Sequence, residues 1–319
     1  MHSLLHCHFE SALRALEIAK PERVGYLRGV YETDAYLQST PAERLTLLWQ
    51  TVMSLTDDAD IFTEATFRRV VRRLLDEMQA SRIEHIDLRI GPSTGRWRWM
   101  HSAGDGIDIF REELSYRTAL SITFLAGVNM TKTQDQLDAL FDVLSEQDDL
   151  TTRIAGVDLN FLPYDLPKFN RFLPYDLPKF NRYLRTLRNL QTGGMKVNIH
   201  LGELFNNAIS HYVLARITPD RIGHGVLLLD DEALVDFVRA NGICLDMCPT
   251  SNTLLGVADW NRTSPARVAL QLGIPVSINT DDPVLFRTSL ESEFSLAGLT
   301  GDEYDQVIAC GRKYRYGDA

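Results

Sequence analysis

His6 and His8 stand two residues apart, so on a strand both imidazoles point to one face, a spacing that suits two ligands of one metal ion. Three further places carry groups of similar chemistry: His200 with Gly202 and Glu203 behind it, His224 between Gly223 and Gly225, and the pair Asp281 and Asp282. His6, His8, His200 and the Asp281 carboxylate make a mixed nitrogen and oxygen set typical of zinc, one Zn2+ per chain, with a position left open for water. Bound zinc lowers the pKa of its water toward ~7, which makes hydroxide available at neutral pH. Glu203, three residues after a ligand, is placed to trade a proton with a substrate atom, and His224 can hold or deprotonate the water. Asp282 is expected to accept a hydrogen bond from substrate. The glycines flanking His224 let that imidazole approach its target closely.

These groups need a scaffold that brings them together. Short apolar runs recur at 4–8, 83–90, 119–128, 154–159, 196–201, 221–225, 242–248 and 275–280, each read as a strand. Between them, apolar residues repeat at three and four: Phe67, Val70, Val71, Leu74, Leu75 and Met78; Leu137, Leu140, Phe141 and Leu144; Leu204, Ala208, Ile209, Tyr212 and Val213. Ser264-Pro265 announces a further helix, a cap residue followed by proline at the first helical position. Eight alternations predict an α/β fold, a closed (β/α)8 TIM barrel, with residues 1–319 as a single domain. Every polar group named above then falls at the carboxyl end of a strand, and in such a barrel those ends share one mouth. Residues of roughly 11 to 80 are predicted to form a helical insertion between the first and second strands, over that mouth. Within it the stretch 36–55 reads as packed helix.

The segment FLPYDLPKFNR occurs at 161–171 and again at 172–182. It is too short for a solenoid unit, and deleting either copy leaves a strand, loop and helix of ordinary length. The net charge of −10 argues against a nucleic-acid backbone or an anionic membrane as partner and leaves room for a small molecule. No oligomeric state is read from the sequence. Cys7, Cys244, Cys248 and Cys310 are too scattered for a disulfide framework, and no signal peptide or membrane span is seen, so a cytoplasmic location is expected. His85, His101 and His211 lack a motif and read as surface or capping residues. GRWRWM (95–100) reads as a surface loop, CPTSN (248–252) as pocket wall, and Asp87 and Arg89 as a pair inside the barrel.

Taken in order, HCHFESA (6–12), HLGE (200–203), RIGHG (221–225), CPTSN (248–252) and SINTDDP (277–283) resemble the adenosine deaminase family. The resemblance spans nearly the whole chain and implies a barrel with one zinc on His6, His8, His200 and Asp281. It implies Glu203 as proton donor to purine N1, His224 as the water-orienting base and Asp282 as the partner of purine N7. Gly202 and Phe161 are implied as further substrate contacts, Phe161 standing where the family's glycine offers its N–H to purine N3. Glu10 resembles the adenine and aminofutalosine branches, whereas nucleoside deaminases carry Asp there. The expectation is hydrolytic deamination of a 6-aminopurine nucleoside such as adenosine, with adenine or aminofutalosine as the alternative. A carbamate-bridged two-metal site would need a lysine ending the fourth strand, and IAGVDLN has none. A degenerate barrel that binds a nucleoside without turnover has no use for Glu203 beside a metal.

Overall fold

The apolar runs pair as the alternation predicts. A computed structural model describes residues 2–91, 95–117, 119–130, 132–145, 153–161 and 176–317. Its strands are β1 (His2–His8), β2 (Ile83–Ile90), β3 (Ser121–Asn129), β4 (Gly156–Asn160), β5 (Lys196–Leu201), β6 (Arg221–His224), β7 (Cys244–Met247) and β8 (Val276–Ile278). Each is hydrogen-bonded in parallel to the next in sequence order. Every residue of β4, β6, β7 and β8 is buried, because helices cover the outer face and side chains fill the inner one.

Closure between β8 and β1 rests on few backbone contacts. Cys7 and Asp281 form a parallel bridge, with the His8 N–H donating to Asp281 O at 2.8 Å and the Asp281 N–H to His6 O at 3.2 Å. Asn279 extends this seam with its side chain: its Oδ1 accepts from the backbone N–H of Leu5 at 2.7 Å and of His6 at 3.0 Å. The amide thus replaces a missing stretch of ladder beside two expected ligands. The result is a (β/α)8 barrel.

Five α-helices lie between β1 and β2: α1 (Ser11–Ala19), α2 (Pro21–Tyr31), α3 (Asp34–Leu37), α4 (Pro41–Leu55) and α5 (Glu64–Ala80). Thr40 and Glu43 form a capping box at the start of α4, and Thr63 caps α5. α5 buries all six residues of its predicted stripe, and α4 buries Leu45, Leu48 and Val52. This group of helices docks on the helix Pro249–Leu255 after β7 and on the loop after β8, where Tyr36 donates to Leu254 O at 2.8 Å and Tyr31 to Leu285 O at 2.6 Å.

Several expectations need correction. The stripe containing Leu204 is rotated: helix Asn207–Leu214 buries Ile209, Ser210, Val213 and Leu214, leaves Ala208 exposed, and begins after Leu204. GRWRWM is no surface loop, since Trp97 and Met100 are buried and Trp97 Nε1 donates to Ser11 Oγ at 3.0 Å. Trp97 also packs edge-on against Phe62 and Phe67. Asp87 and Arg89 do not pair with each other. Adjacent inward positions on one strand find partners across the barrel: Asp87 meets Arg221 at 2.7 Å and Arg89 meets Asp158 at 3.3 Å. His85 is buried rather than superficial, bonded to Asp87 at 2.8 Å and Ser121 at 2.7 Å.

Of the tandem copies, residues 162–175 lie outside the described residues, while 176–182 begin the helix Asp176–Thr192. All four cysteines are free thiols. Among the described residues, no helix is long and apolar enough to cross a membrane.

Candidate active site

The ends of β1, β5, β6 and β8 bring the expected groups together. The ring centroid of His6 lies 5.1 Å from His8, 4.6 Å from His200 and 5.2 Å from His224. Asp281 Oδ1 is 3.6 Å from His6 Nε2 and 3.3 Å from His8 Nδ1. Three overlapping sets of donor atoms are compact enough for a metal ion: His6, His8, Asp158 and His200; His6, His200, His224 and Asp281; and His8, Asp281 and Asp282. Together they contain all four expected ligands, with His6 and His200 common to the two larger sets.

Buried atoms without partners test the fit. Nε2 of His6, His8 and His200 and Oδ1 of Asp281 are all buried with no hydrogen-bond partner. Four such atoms converging in a dry site would be costly, and a cation satisfies them together. Proton placement agrees. His200 Nδ1 lies 3.1 Å from the Leu159 carbonyl and 3.2 Å from Asp158, and His8 Nδ1 lies 3.0 Å from Asp282 Oδ2. These acceptors place the ring protons on Nδ1 and leave Nε2 lone pairs for a metal. His224 is the reverse: Asn252 Nδ2 donates to its Nδ1 at 3.2 Å, so Nε2 carries the proton. His224 is therefore a hydrogen-bond donor toward the site and not a fourth imidazole ligand.

Electrostatics separate the two acids. Burial raises the Glu203 carboxyl well above the ordinary range, and the charges of Asp281 and Asp282 push it further up, which favours its protonated form. Burial works against the charge on Asp281 too, but His8 and His6 outweigh it and hold that carboxyl well below its ordinary range. A protonated acid thus faces an ionised one across the same site. Glu203 Oε2 lies 3.5 Å from His224 Nε2. Burial lowers the His224 pKa well below its ordinary value, which favours the neutral ring.

The glycines act differently from expectation. A Cβ on Gly223 would stand 2.8 Å from His6 Cε1, so this glycine clears space for a neighbouring ring. Gly202 has φ +65°, and a Cβ there would meet backbone of Gly225 and Leu228 at 3.2 Å; its position is fixed by packing, though it lines the cavity beside Glu203. Phe161 is buried against Phe180 and lines the same cavity. Glu10 has a structural part. Both its oxygens accept from the backbone N–H groups of Val284 and Leu285, each at 2.7 Å, so it pins the segment after Asp282. Asp282 likewise spends one oxygen on His8.

Three positioning groups were missed by sequence reasoning, although each sits inside a quoted motif: Asp158 in IAGVDLN, Asn252 in CPTSN and Asn279 in SINTDDP. Each orients a histidine or the strand that carries one.

Glu293 adds a pH test at the edge of the site. It accepts from the Thr250 N–H at 2.8 Å, at the start of helix Pro249–Leu255. Burial pushes its carboxyl from an ordinary 4.5 up to about 7. A raised carboxyl contributes stability fully present below the unfolded value of 4.5 and lost as pH rises through about 7. Glu293→Gln, which can still accept from Thr250, is expected to gain relative to wild type by up to about 3 kcal/mol between pH 5 and pH 8. Paired urea titrations at the two pH values check this; parallel behaviour of the two proteins would contradict it.

Comparisons with known proteins find relatives in sequence and in fold. A family model described as adenosine deaminase matches residues 170–306. An adenine deaminase from Rhizobium rhizogenes is 26% identical over 313 residues, covering 95% of this chain and 90% of the relative. Among solved structures, Arabidopsis ADAL complexed with IMP superposes with a TM-score of 0.73 at 16% identity, covering 99% of this chain and 92% of that one. An amidohydrolase from Burkholderia ambifaria with bound Zn superposes with a TM-score of 0.69 at 19% identity, covering 99% and 86%. The chain is thus similar to the adenosine deaminase family over residues 170–306 and to an adenine deaminase along nearly its whole length.

Proposed function

We propose that this chain is a zinc-dependent deaminase that replaces the 6-amino group of a purine with oxygen and releases ammonia. The observation that carries the reading is the convergence of unpartnered His6, His8 and His200 Nε2 and Asp281 Oδ1 beside a carboxyl, Glu203, kept protonated by burial. His6, His8, His200 and Asp281 would hold the ion, whose chemistry when bound is to acidify water toward neutrality. Glu203 gives its proton to ring N1, which makes C6 electrophilic. The His224 Nε2–H donates a hydrogen bond to the attacking water and fixes its direction. Asp281, kept ionised by the imidazoles around it, is the base available to that water's proton. Asp282 accepts from the purine at N7 while holding His8 in register. Water adds at C6, the proton taken by Asp281 passes to the amino nitrogen, the bond from C6 to that nitrogen breaks, the new C6 hydroxyl returns a proton to Glu203, and ammonia and a 6-oxopurine leave.

The free base is favoured over the nucleoside by two observations. The chain-long likeness is to an adenine deaminase, and Glu10 is the residue type that resembles the adenine branch. The test is ammonia release from adenine and adenosine, offered in parallel before and after chelation and again after zinc is restored. Turnover lost on chelation and recovered with zinc supports the reading, and the better substrate fixes the ring form. Full activity after the chelator has stripped the metal would overturn the zinc assignment.

A further inference from the structure

Two polar side chains next to Glu203 have no part in the steps above. Asn160 ends β4 and is 2% exposed; Ser210, on the helix Asn207–Leu214, is 1% exposed. Asn160 Oδ1 and Ser210 Oγ are both buried without a hydrogen-bond partner. Both line the cavity that also holds Glu203 and His200, between the ends of β4 and β5. Its other walls include Phe161, Leu201 and Ile209, so the two polar atoms stand out in a mostly apolar lining. Buried polar atoms in native proteins are almost always paired, and a concave site beside a reacting centre is where the partner is a ligand.

The ring order of a purine identifies which part of the ligand reaches them. From C6 the ring runs through N1 and C2 to N3. With N1 at Glu203 after β5 and N7 toward Asp282 after β8, C2 faces the side where β4 and β5 end. The cavity there leaves room for about one water-sized group beyond its lining. That space suits a hydrogen or an amino group on C2. Asn160 Oδ1 only accepts, so it calls for a donor, and a 2-amino group has two N–H bonds to offer.

We propose that Asn160 and Ser210 form a subsite for an exocyclic amino group on C2, and that the preferred substrates are 2,6-diaminopurines. Asn160 Oδ1 accepts one N–H and Ser210 Oγ the other. The inference rests on the deaminase reading. Chemistry at C6 is unchanged: water adds there, the C6–N bond breaks, ammonia leaves, and a 2-amino-6-oxopurine forms with the C2–N bond intact.

The experiment has a turnover arm and a binding arm on the zinc-loaded full chain. kcat/KM is measured for adenine and 2,6-diaminopurine, and calorimetric affinity for the corresponding products, hypoxanthine and guanine. The expected result is a preference of about tenfold or more for the 2-amino compound in both arms, because the compound lacking it leaves buried acceptors unpaired. Asn160→Ala should bring both ratios close to one, and Asn160→Asp, which keeps an acceptor, should restore the preference. Equal turnover and equal affinity in wild type would overturn the subsite while leaving the deaminase reading intact. Tighter binding of guanine with no turnover of either substrate would uphold the subsite and discard the deaminase reading. Wild type alone decides both questions should the variants fail to fold.

Discussion

Glu203→Gln is expected to lower kcat by about 10²- to 10⁴-fold while metal content, fold and substrate affinity stay close to wild type. Gln fills the same volume and still donates a hydrogen bond from its amide, so N1 remains in contact but receives no proton. The buried carboxyl owes its proton to desolvation and to the neighbouring charges of Asp281 and Asp282. An amide has neither proton to give nor charge to be tuned, and the loss therefore falls on the transition state and not on binding. Metal analysis, a thermal melt and steady-state kinetics on one preparation check the three parts together. A variant that keeps more than about a tenth of wild-type kcat would remove Glu203 from the role of proton donor.

Legibility in the sequence follows the range of the interaction. His6 and His8 were readable because a strand turns a spacing of two into a shared face, and the strands themselves were readable because burial on both faces demands unbroken apolar runs. Positions that depend on contacts far along the chain were not. Asn279 reaches Leu5 across 274 positions and Arg221 reaches Asp87 across 134, and no local pattern marks either pair. Side-chain aim was hidden for a different reason. Glu10, His224 and Asp281 all have left-handed backbone, with φ of 41°, 65° and 57°. Such conformations are disfavoured for residues with a Cβ and persist only where surrounding structure enforces them, as it does around binding sites. Glu10 shows the consequence: its left-handed backbone and two backbone partners make it a clamp on the loop after β8, a part that its residue type does not reveal.

Arg221→Met is expected to have the opposite signature, a large loss of stability from the end of the barrel away from the reacting groups. The Arg221 side chain is fully buried, meeting Asp87 at 2.7 Å, Asp246 at 2.9 Å, Leu5 O at 2.9 Å and Tyr314 O at 2.7 Å. Its guanidinium also lies 3.9 Å from the ring centroid of Tyr316, whose hydroxyl donates to Asn198 at 2.6 Å. Methionine replaces much of the volume and none of the charge. Two carboxylates would then share a dry interior without a cation, and removing one partner of such a network costs about 3–5 kcal/mol. For a domain of this kind that lowers Tm by on the order of 10 °C. The loss should also reach the reacting end. Asp246 accepts from Ser277 at 2.7 Å, Ser277 accepts from Asn279 at 2.8 Å, and Asn279 in turn holds the Leu5 and His6 N–H groups at the barrel seam. Arg221→Met combined with Asp87→Asn, which removes one stranded charge, should recover part of the stability. A single variant that melts within about 2 °C of wild type would show that the two aspartates find protons or partners of their own, and that the barrel floor does not depend on this cation.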